Sequence, residues 1–476
     1  MALQIKTING NKYVYDVKSY WCKEQKKYKK KTYYMGPCIN ESTKEFAPKK
    51  TKKISGNCTG QKEILSFGDT NILWESLKIS PLKSAFDDIL PNDLHSLTAL
   101  ICYKIIDGGA SKNAGIWHQG NISRIAFPNA KLESQRVSEL LAKLGNENVQ
   151  RRFFKHYIKE IADTSGDVVI DSTGMDNEID IPLTEYSGRT GDMGNKTKLI
   201  MVIDRITHMP LYFRLVAGNI VDVSTLTTTF SLAKKFGLNT EMVLMDAGYY
   251  SSDNIKSLCK DKISFLCRLP ANLKLYKETI FNTNDLLEKP ENIIIYNNRS
   301  LYIKKMKVDL YGYVGYAYVC MDIKQKGNKL DKYFKDAIDE KLTNDQISEK
   351  LPFIGKFILV SNKELSADEV LPMYYTRQVA ETSFGFSKSQ LDLLPLRVHS
   401  EINLRGYMFL SYIALLLSLE ISRKLRGHCT LSEALALGRN QYCEVFDRDF
   451  IVLEPNRRLK DIYELLGLMV AKNSGD

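Results

Sequence analysis

Two aspartates close short runs of apolar residues. Asp171 ends DVVID and Asp246 ends MVLMD. Each run reads as a buried strand, so each carboxylate is expected at a strand's carboxyl edge, where open α/β sheets place their ligand sites. If the two strands are neighbours, the carboxylates converge and repel. Divalent cations relieve such repulsion, and oxygen ligands select magnesium or manganese. Asp204 ends LIMVID in the same way. Any of the three can equally cap the turn or helix that follows, and the local pattern does not separate them.

A second group lies on one predicted helix, 371–390, with the sequence LPMYYTRQVAETSFGFSKSQ. Tyr374, Arg377, Glu381 and Lys388 stand at offsets 0, 3, 7 and 14. At helical spacing they fall within roughly 60° of arc, a polar stripe about 21 Å long if the helix runs through Gly385. Arg377 and Glu381 are an i,i+4 pair, so the guanidinium can orient the carboxylate. An acid flanked by Arg and Lys suits a metal beside a phosphate backbone. The same pattern also describes an ordinary surface stripe with one ion pair.

Charge is concentrated at the start of the chain. The 476 residues carry a formal net charge of +11, and residues 1–53 hold 14 lysines against 4 acids, leaving +1 for the remainder. Lys26, Lys27, Lys29, Lys30 and Lys31 form the densest run with Lys23, between YVYDVKSYW and KKTYYMG. Those flanks can pair as a hairpin. A lysine-rich hairpin suits phosphate contact, which is electrostatic and blind to sequence. It would also protect a sheet edge from aggregation.

The elements that must carry these groups follow from periodicity. Residues 62–165 read mostly as helix. DVVIDST, LIMVIDR, LYFRLVAG, MVLMDAG and ISFLCRL read as strands, with helices before and after MVLMDAG. The resulting β-β-β-α-β-α-β order implies a mixed sheet covered by helices. Residues 271–365 are strand-rich and tyrosine-rich and read as an insertion. Residues 366–424 return to helix, and 425–476 read as short helical pieces. The longest apolar run, 406–419, falls short of the roughly 20 residues of a membrane span. The opening MALQIKTINGNKY lacks an apolar signal core, and nine scattered cysteines suggest reduced thiols. A cytoplasmic protein without a membrane partner is expected.

Tyr374-x2-Arg377-x3-Glu381-x6-Lys388 resembles the Tyr-Arg-Glu-Lys signature of DDE insertion-sequence transposases. IDSTG at 170–174 resembles that family's first-Asp strand, MDAGYYS at 245–251 its second-Asp segment, and LRVHSEINLRGYMFLSYIALLL the helix after the Glu. The resemblance covers about 165–425, strongly in the motif segments and weakly in the insertion. It implies an α/β fold with a ribonuclease H-like core in two parts, 166–270 and 366–424, interrupted by a β-rich insertion at 271–365. Before the core stand a basic segment, 1–60, and a helical domain, 61–165; a helical tail, 425–476, follows it.

By the same resemblance Asp171, Asp246 and Glu381 hold two Mg2+ or Mn2+ ions, Asp204 is structural, and Tyr374, Arg377 and Lys388 contact DNA near the cut. The implied partners are the element's terminal inverted repeats and target DNA, with a homodimer on the paired ends. Some relatives hold a flipped base with a Trp of the insertion. Here Trp21, Trp74 and Trp117 all lie outside it, which puts a hairpin-forming route in doubt. Arg397, His399, Arg405 and Tyr407 offer a different chemistry, attack by a tyrosine hydroxyl, but their crowding and the apolar run behind Tyr407 favour packing. A metal nuclease without strand transfer and a non-cutting DNA-binding protein stay open as alternatives.

Deleting residues 1–53 is expected to weaken DNA affinity and flatten its dependence on salt. A titration of duplex binding against ionic strength checks this; an unchanged slope in a folded deletion variant refutes it.

Overall fold

The computed structural model describes residues 2–8, 11–22, 27–43, 45–46, 63–161, 166–176, 179, 181, 185–187, 194–340, 342–389, 391, 396, 398, 400–446 and 449–469. The chain divides into two compact units, Met1–Lys62 and Glu63–Asp476.

The first unit is an antiparallel sheet of β1 (Ala2–Ile8), β2 (Asn11–Cys22), β3 (Lys27–Asn40) and β4 (Glu45–Phe46), paired in that order. The expected hairpin is the β2–β3 pair, with a register shift at Val14/Tyr15. Lys27, Lys29, Lys30 and Lys31 lie on β3, and Lys30 is exposed. Lys26 lies outside the described residues.

The second unit is built on one large sheet. Its strands are β6 (Asp167–Asp176), β7 (Glu185–Ser187), β8 (Gly194–Asp204), β9 (Pro210–Ala217), β10 (Met242–Met245), β11 (Ser264–Arg268), β12 (Ile293–Tyr296), β13 (Arg299–Asp309), β14 (Val314–Asp322) and β15 (Lys356–Ser361); β5 (Glu63–Ser66) stands outside it. The central order is β9-β8-β6-β10-β11, with β8 antiparallel to β6 and β9, and β6, β10 and β11 mutually parallel. Those positions and directions are a ribonuclease H-like core. Val168, Val169, Ile170 and the whole of Met242–Met245 are buried, as runs covered on both faces require. Ser251 caps the helix Ser252–Lys260 by accepting from Asn254 N–H.

The insertion differs from a separate β module. β15 pairs antiparallel with β11, and β14, β13 and β12 follow it, so these strands extend the core sheet. Helices Lys274–Leu287, Ile323–Asp339 and Asn344–Lys350 share the segment. The expected helical tail contains the hairpin β16 (Tyr442–Phe446) and β17 (Asp449–Val452), and β16 pairs with β5. Such short strands gain order from their pairing, and β5, the second partner of β16, lies more than 370 residues away in the chain. That makes them invisible to local periodicity.

The helix Glu401–Lys424 is long and apolar enough to cross a membrane, yet 78% of its apolar window is buried inside the protein. Its Phe409 and Tyr412 pack with Phe153, Phe154 and Phe213, joining the helical layer to the sheet. The Tyr157 and Tyr412 hydroxyls both donate to the Pro210 carbonyl, at 2.9 and 2.8 Å, and so fix the start of β9. Where this helix crosses Ser134–Leu144 the backbones nearly touch: a Cβ on Gly406 would overlap the Leu141 carbonyl oxygen. Gly406→Ala is therefore expected to destabilise the second unit by about 2 kcal/mol or more through overpacking. Urea unfolding checks this; a midpoint equal to wild type refutes the close crossing.

Candidate active site

The strand ladder sets the site. β10 pairs with β6 in parallel up to Met245↔Ile170, so Asp246 and Asp171 are the next residues on neighbouring strands. Adjacent strands lie about 4.8 Å apart, which brings the two carboxylates to one edge. β6 does not end at Asp171, as its apolar run suggested. It continues to Asp176 because the long β8 still pairs with it there. Asp246 leads into a short helical turn, Ala247–Tyr249, and its carbonyl accepts from Cys267 Sγ at 3.3 Å.

The expected single helix is two. Ala367–Tyr375 and Gln378–Ser389 are separated at Thr376 and Arg377. Arg377 N–H donates to the Tyr374 carbonyl at 3.2 Å, and Ala380 N–H to the Arg377 carbonyl at 3.0 Å, both three residues back. The Thr376 hydroxyl donates to the Pro372 carbonyl, the back-bonding that bends helices. Gly385 does not interrupt the second helix. Ala380, Ser383, Phe384 and Ser387 are its buried stripe. Glu381 lies outside that stripe and is exposed, and Lys388 is half-buried.

Arg377 binds the elements together. Nη1 donates to Asp171 Oδ2 at 2.9 Å and Nη2 to Glu381 Oε1 at 3.4 Å. Its Nε is buried without a hydrogen-bond partner among the described residues. Burial opposes its charge, but Asp171 and Asp246 outweigh that and hold the guanidinium protonated. Tyr374 is buried rather than presented to solvent; its ring lies 5.9 Å from the Arg377 guanidinium, and burial pushes its hydroxyl up to about 12. Lys388 Nζ donates to Thr173 Oγ1 at 2.8 Å and to the Gly174 carbonyl at 3.1 Å, just past Asp171 on β6. Burial lowers its pKa. Behind the edge, Ser172 Oγ donates to Asp222 Oδ1 at 2.6 Å, and Lys198 pairs with the same oxygen at 3.1 Å.

Asp204 is elsewhere. β8 runs antiparallel to β6 and pairs Asp204 with Val168, so it closes at the opposite edge of the sheet. Its Oδ1 accepts from Ile206 and Thr207 N–H at 2.9 and 2.7 Å, capping the turn into β9. Tyr407 is buried in the core helix and its hydroxyl meets Lys104 Nζ at 2.6 Å, a packing role. The sequence reading missed Arg268. It ends β11 one step past the Met245↔Cys267 pair, level with Asp246, and is exposed. Its signal was the one used for the aspartates, a polar residue closing an apolar run.

The donors Asp171, Asp246 and Glu381 offer only oxygen, the chemistry of Mg2+ or Mn2+. Burial pushes the Asp171 carboxyl up to about 6; Arg377 and the Ser172 N–H oppose this, while Asp246 and Glu381 add to it. Burial thus outweighs the guanidinium at Asp171. The three carboxylates do not close round one point: among the described residues no group of three acids, histidines or cysteines is gathered for a metal. The reason is visible in the ion pairs, since Arg377 stands between Asp171 and Glu381. The residues fit a divalent cation in kind, and two of them, Asp171 and Glu381, are paired with Arg377 here.

The family model described as "Transposase DDE domain" matches residues 164–417, more than half of the 476 residues. The chain belongs to the DDE-domain transposases. A solved structure to which it is similar is the piggyBac transposase synaptic complex with hairpin DNA, determined by cryo-EM. The identity is 11% and the TM-score 0.39, over 78% of this chain and 70% of that one. No curated protein matches it.

The Asp171 carboxyl binds its proton more tightly in the folded protein than in the unfolded chain, where its pKa is about 3.9. Without divalent cations its contribution to stability therefore falls as pH rises from about 4 to about 6, and the full penalty applies above that. Asp171→Asn has no such titration. The melting temperature of the variant relative to wild type should rise across this window in chelator. A difference that stays flat from pH 4 to 6 would show that Asp171 titrates normally.

Proposed function

We propose that this transposase cuts DNA at the ends of an insertion sequence and joins the freed 3′-hydroxyl to target DNA. The observation that carries the reading is the placement of Asp171 and Asp246 side by side on parallel neighbours, with Glu381 linked to Asp171 through Arg377. Asp171, Asp246 and Glu381 would hold two divalent cations, Mg2+ or Mn2+. When bound, such ions activate a water and stabilise the leaving 3′ oxygen.

The chain's own residues do the rest. In cleavage, water oxygen bonds to phosphorus and the 3′ oxygen departs with a proton. In joining, that 3′ oxygen bonds in line to a target phosphorus at the same carboxylates, the target's own 3′ oxygen departs, and the attacking hydroxyl's proton passes to it. Negative charge gathers on the phosphate oxygens, and Arg377, Lys388 and the exposed Arg268 stand at this edge to offset it. Tyr374 stays buried beside Arg377, its ring 5.9 Å from the guanidinium. The basic first unit supplies affinity for DNA backbone, two protomers pair the ends, and the reaction takes place on cytoplasmic DNA. Cleavage without joining, or binding without either, is distinguished by assaying nicked and joined products together.

Asp171→Asn, Asp246→Asn and Glu381→Gln should each reduce Mg2+-dependent nicking of a labelled element end by about a hundredfold or more, the scale of losing a main electrostatic contributor. Binding measured in Ca2+ should stay close to wild type. Asp204→Asn should fold less stably but keep cutting. Full activity in any of the first three, or loss in Asp204→Asn alone, would move the site to other residues.

A further inference from the structure

Among the described residues of the first unit, β1 pairs with β2 as far as Ala2↔Val17, whereas β2 and β3 pair on to Cys22↔Lys27. Lys18–Cys22 and Lys27–Lys31 thus form a two-stranded ribbon of five cross-strand pairs that projects beyond the four-stranded part. It is about 16 Å long. Its ten residues are Lys-Ser-Tyr-Trp-Cys and Lys-Tyr-Lys-Lys-Lys, with no acid. Lys18 lies directly opposite Lys31. Like charges in that position destabilise a ladder, and a two-stranded ribbon is marginal alone. The ribbon's sequence is therefore poorly suited to its own stability and well suited to a polyanion.

Near its end sits a cross-strand aromatic pair. Trp21 and Tyr28 face each other at 4.9 Å in an edge-to-face arrangement. They are nonetheless 50% and 74% exposed. Lysines suffice to guard a sheet edge; two large rings left in water have no place in that role. Lys30 and Ser19, the neighbouring pair on the same face two positions along from Tyr28 and Trp21, are also exposed.

We propose that this ribbon enters the major groove of duplex DNA, with lysines on the flanking phosphates and the Trp21–Tyr28 pair against base edges. The major groove is about 12 Å wide and admits a two-stranded β-ribbon. Phosphate contacts position such an element, while ring contacts with base edges and thymine methyls read sequence. The first unit thereby contributes recognition of particular sequence and not affinity alone. This rests on the DNA-binding reading above and adds to it a base-reading surface.

The test uses the full-length chain and a duplex pool with a randomised central segment; the sequences it enriches become the probe. Trp21→Ala should lose about tenfold of the preference for enriched over random duplex, the scale of one good base contact. Because that change also removes a contact inside the ribbon, a second measurement is independent of it. Enriched duplex should quench and shift the tryptophan emission of wild type, but leave unchanged that of Trp21→Phe, which reports only Trp74 and Trp117. A Lys18→Gln/Lys30→Gln double variant should lower the salt slope by about 2 with the sequence preference kept. If bound duplex leaves Trp21 emission unaltered, or Trp21→Ala keeps its full preference, or the lysine pair leaves the slope unchanged, the groove assignment is wrong while DNA binding stands. If wild type binds no duplex at all, both readings fall.

Discussion

Two carboxylates on neighbouring parallel strands, one step beyond the last shared hydrogen bonds, repel each other in a half-buried place. That repulsion and the burial of Asp171 together shape the carboxyl edge of this sheet. Burial first, and the neighbouring acids after it, drive Asp171 towards its protonated form, and Arg377, from the segment between two helices, pairs with it. The same guanidinium reaches Glu381, so the helix Gln378–Ser389 is registered against β6 by charge as well as by its buried stripe. Lys388 adds a second tether to Thr173 and Gly174 further along. A cation at this edge would satisfy what Arg377 satisfies only in part.

That edge can hold unfavourable charge because the rest of the second unit is rigidly packed. The core helix Glu401–Lys424 lies buried among the helices and against the aromatic residues of β9 and of Glu147–Ile161. Its contact with Ser134–Leu144 is so close that only glycine fits at position 406. Interiors packed at this density transmit strain instead of absorbing it, so strand ends stay where the ladder puts them. The antiparallel extension from β15 to β12 lengthens the same sheet on its other side, and the stacked Tyr296 and Tyr375 join β12 to the helix Ala367–Tyr375.

The first unit follows a different logic. It holds the chain's whole net charge, +11, and among its described residues the buried apolar side chains are Val14 and Val17. Association with a polyanion is a surface and field property, so it tolerates a small domain with a thin core. Chemistry at a phosphate needs groups held to fractions of an ångström, and those groups sit on the large sheet and on the helix Gln378–Ser389 packed against it.

The division between what the chain's letters determine and what the fold decides is clear residue by residue. The apolar runs of β6, β8, β9, β10 and β11 identified five strands, because burial on both faces leaves a continuous hydrophobic signature. The family signature singled out Asp171, Asp246, Glu381, Arg377 and Lys388, and the structure brings all five to one edge. By local pattern Asp204 was equivalent to Asp171; only the antiparallel direction of β8 sends it to the other side. The bend at Thr376 was hidden because helical spacing continues across it, while the hydroxyl's bond to the Pro372 carbonyl is a matter of geometry. The placing of Arg377 between two acids, the exposure of Arg268 and the meeting of β5 with β16 all depend on contacts between segments far apart in the chain. A sequence encodes the propensity and burial of each segment, but direction, register and neighbourhood arise only when segments compete for the same core.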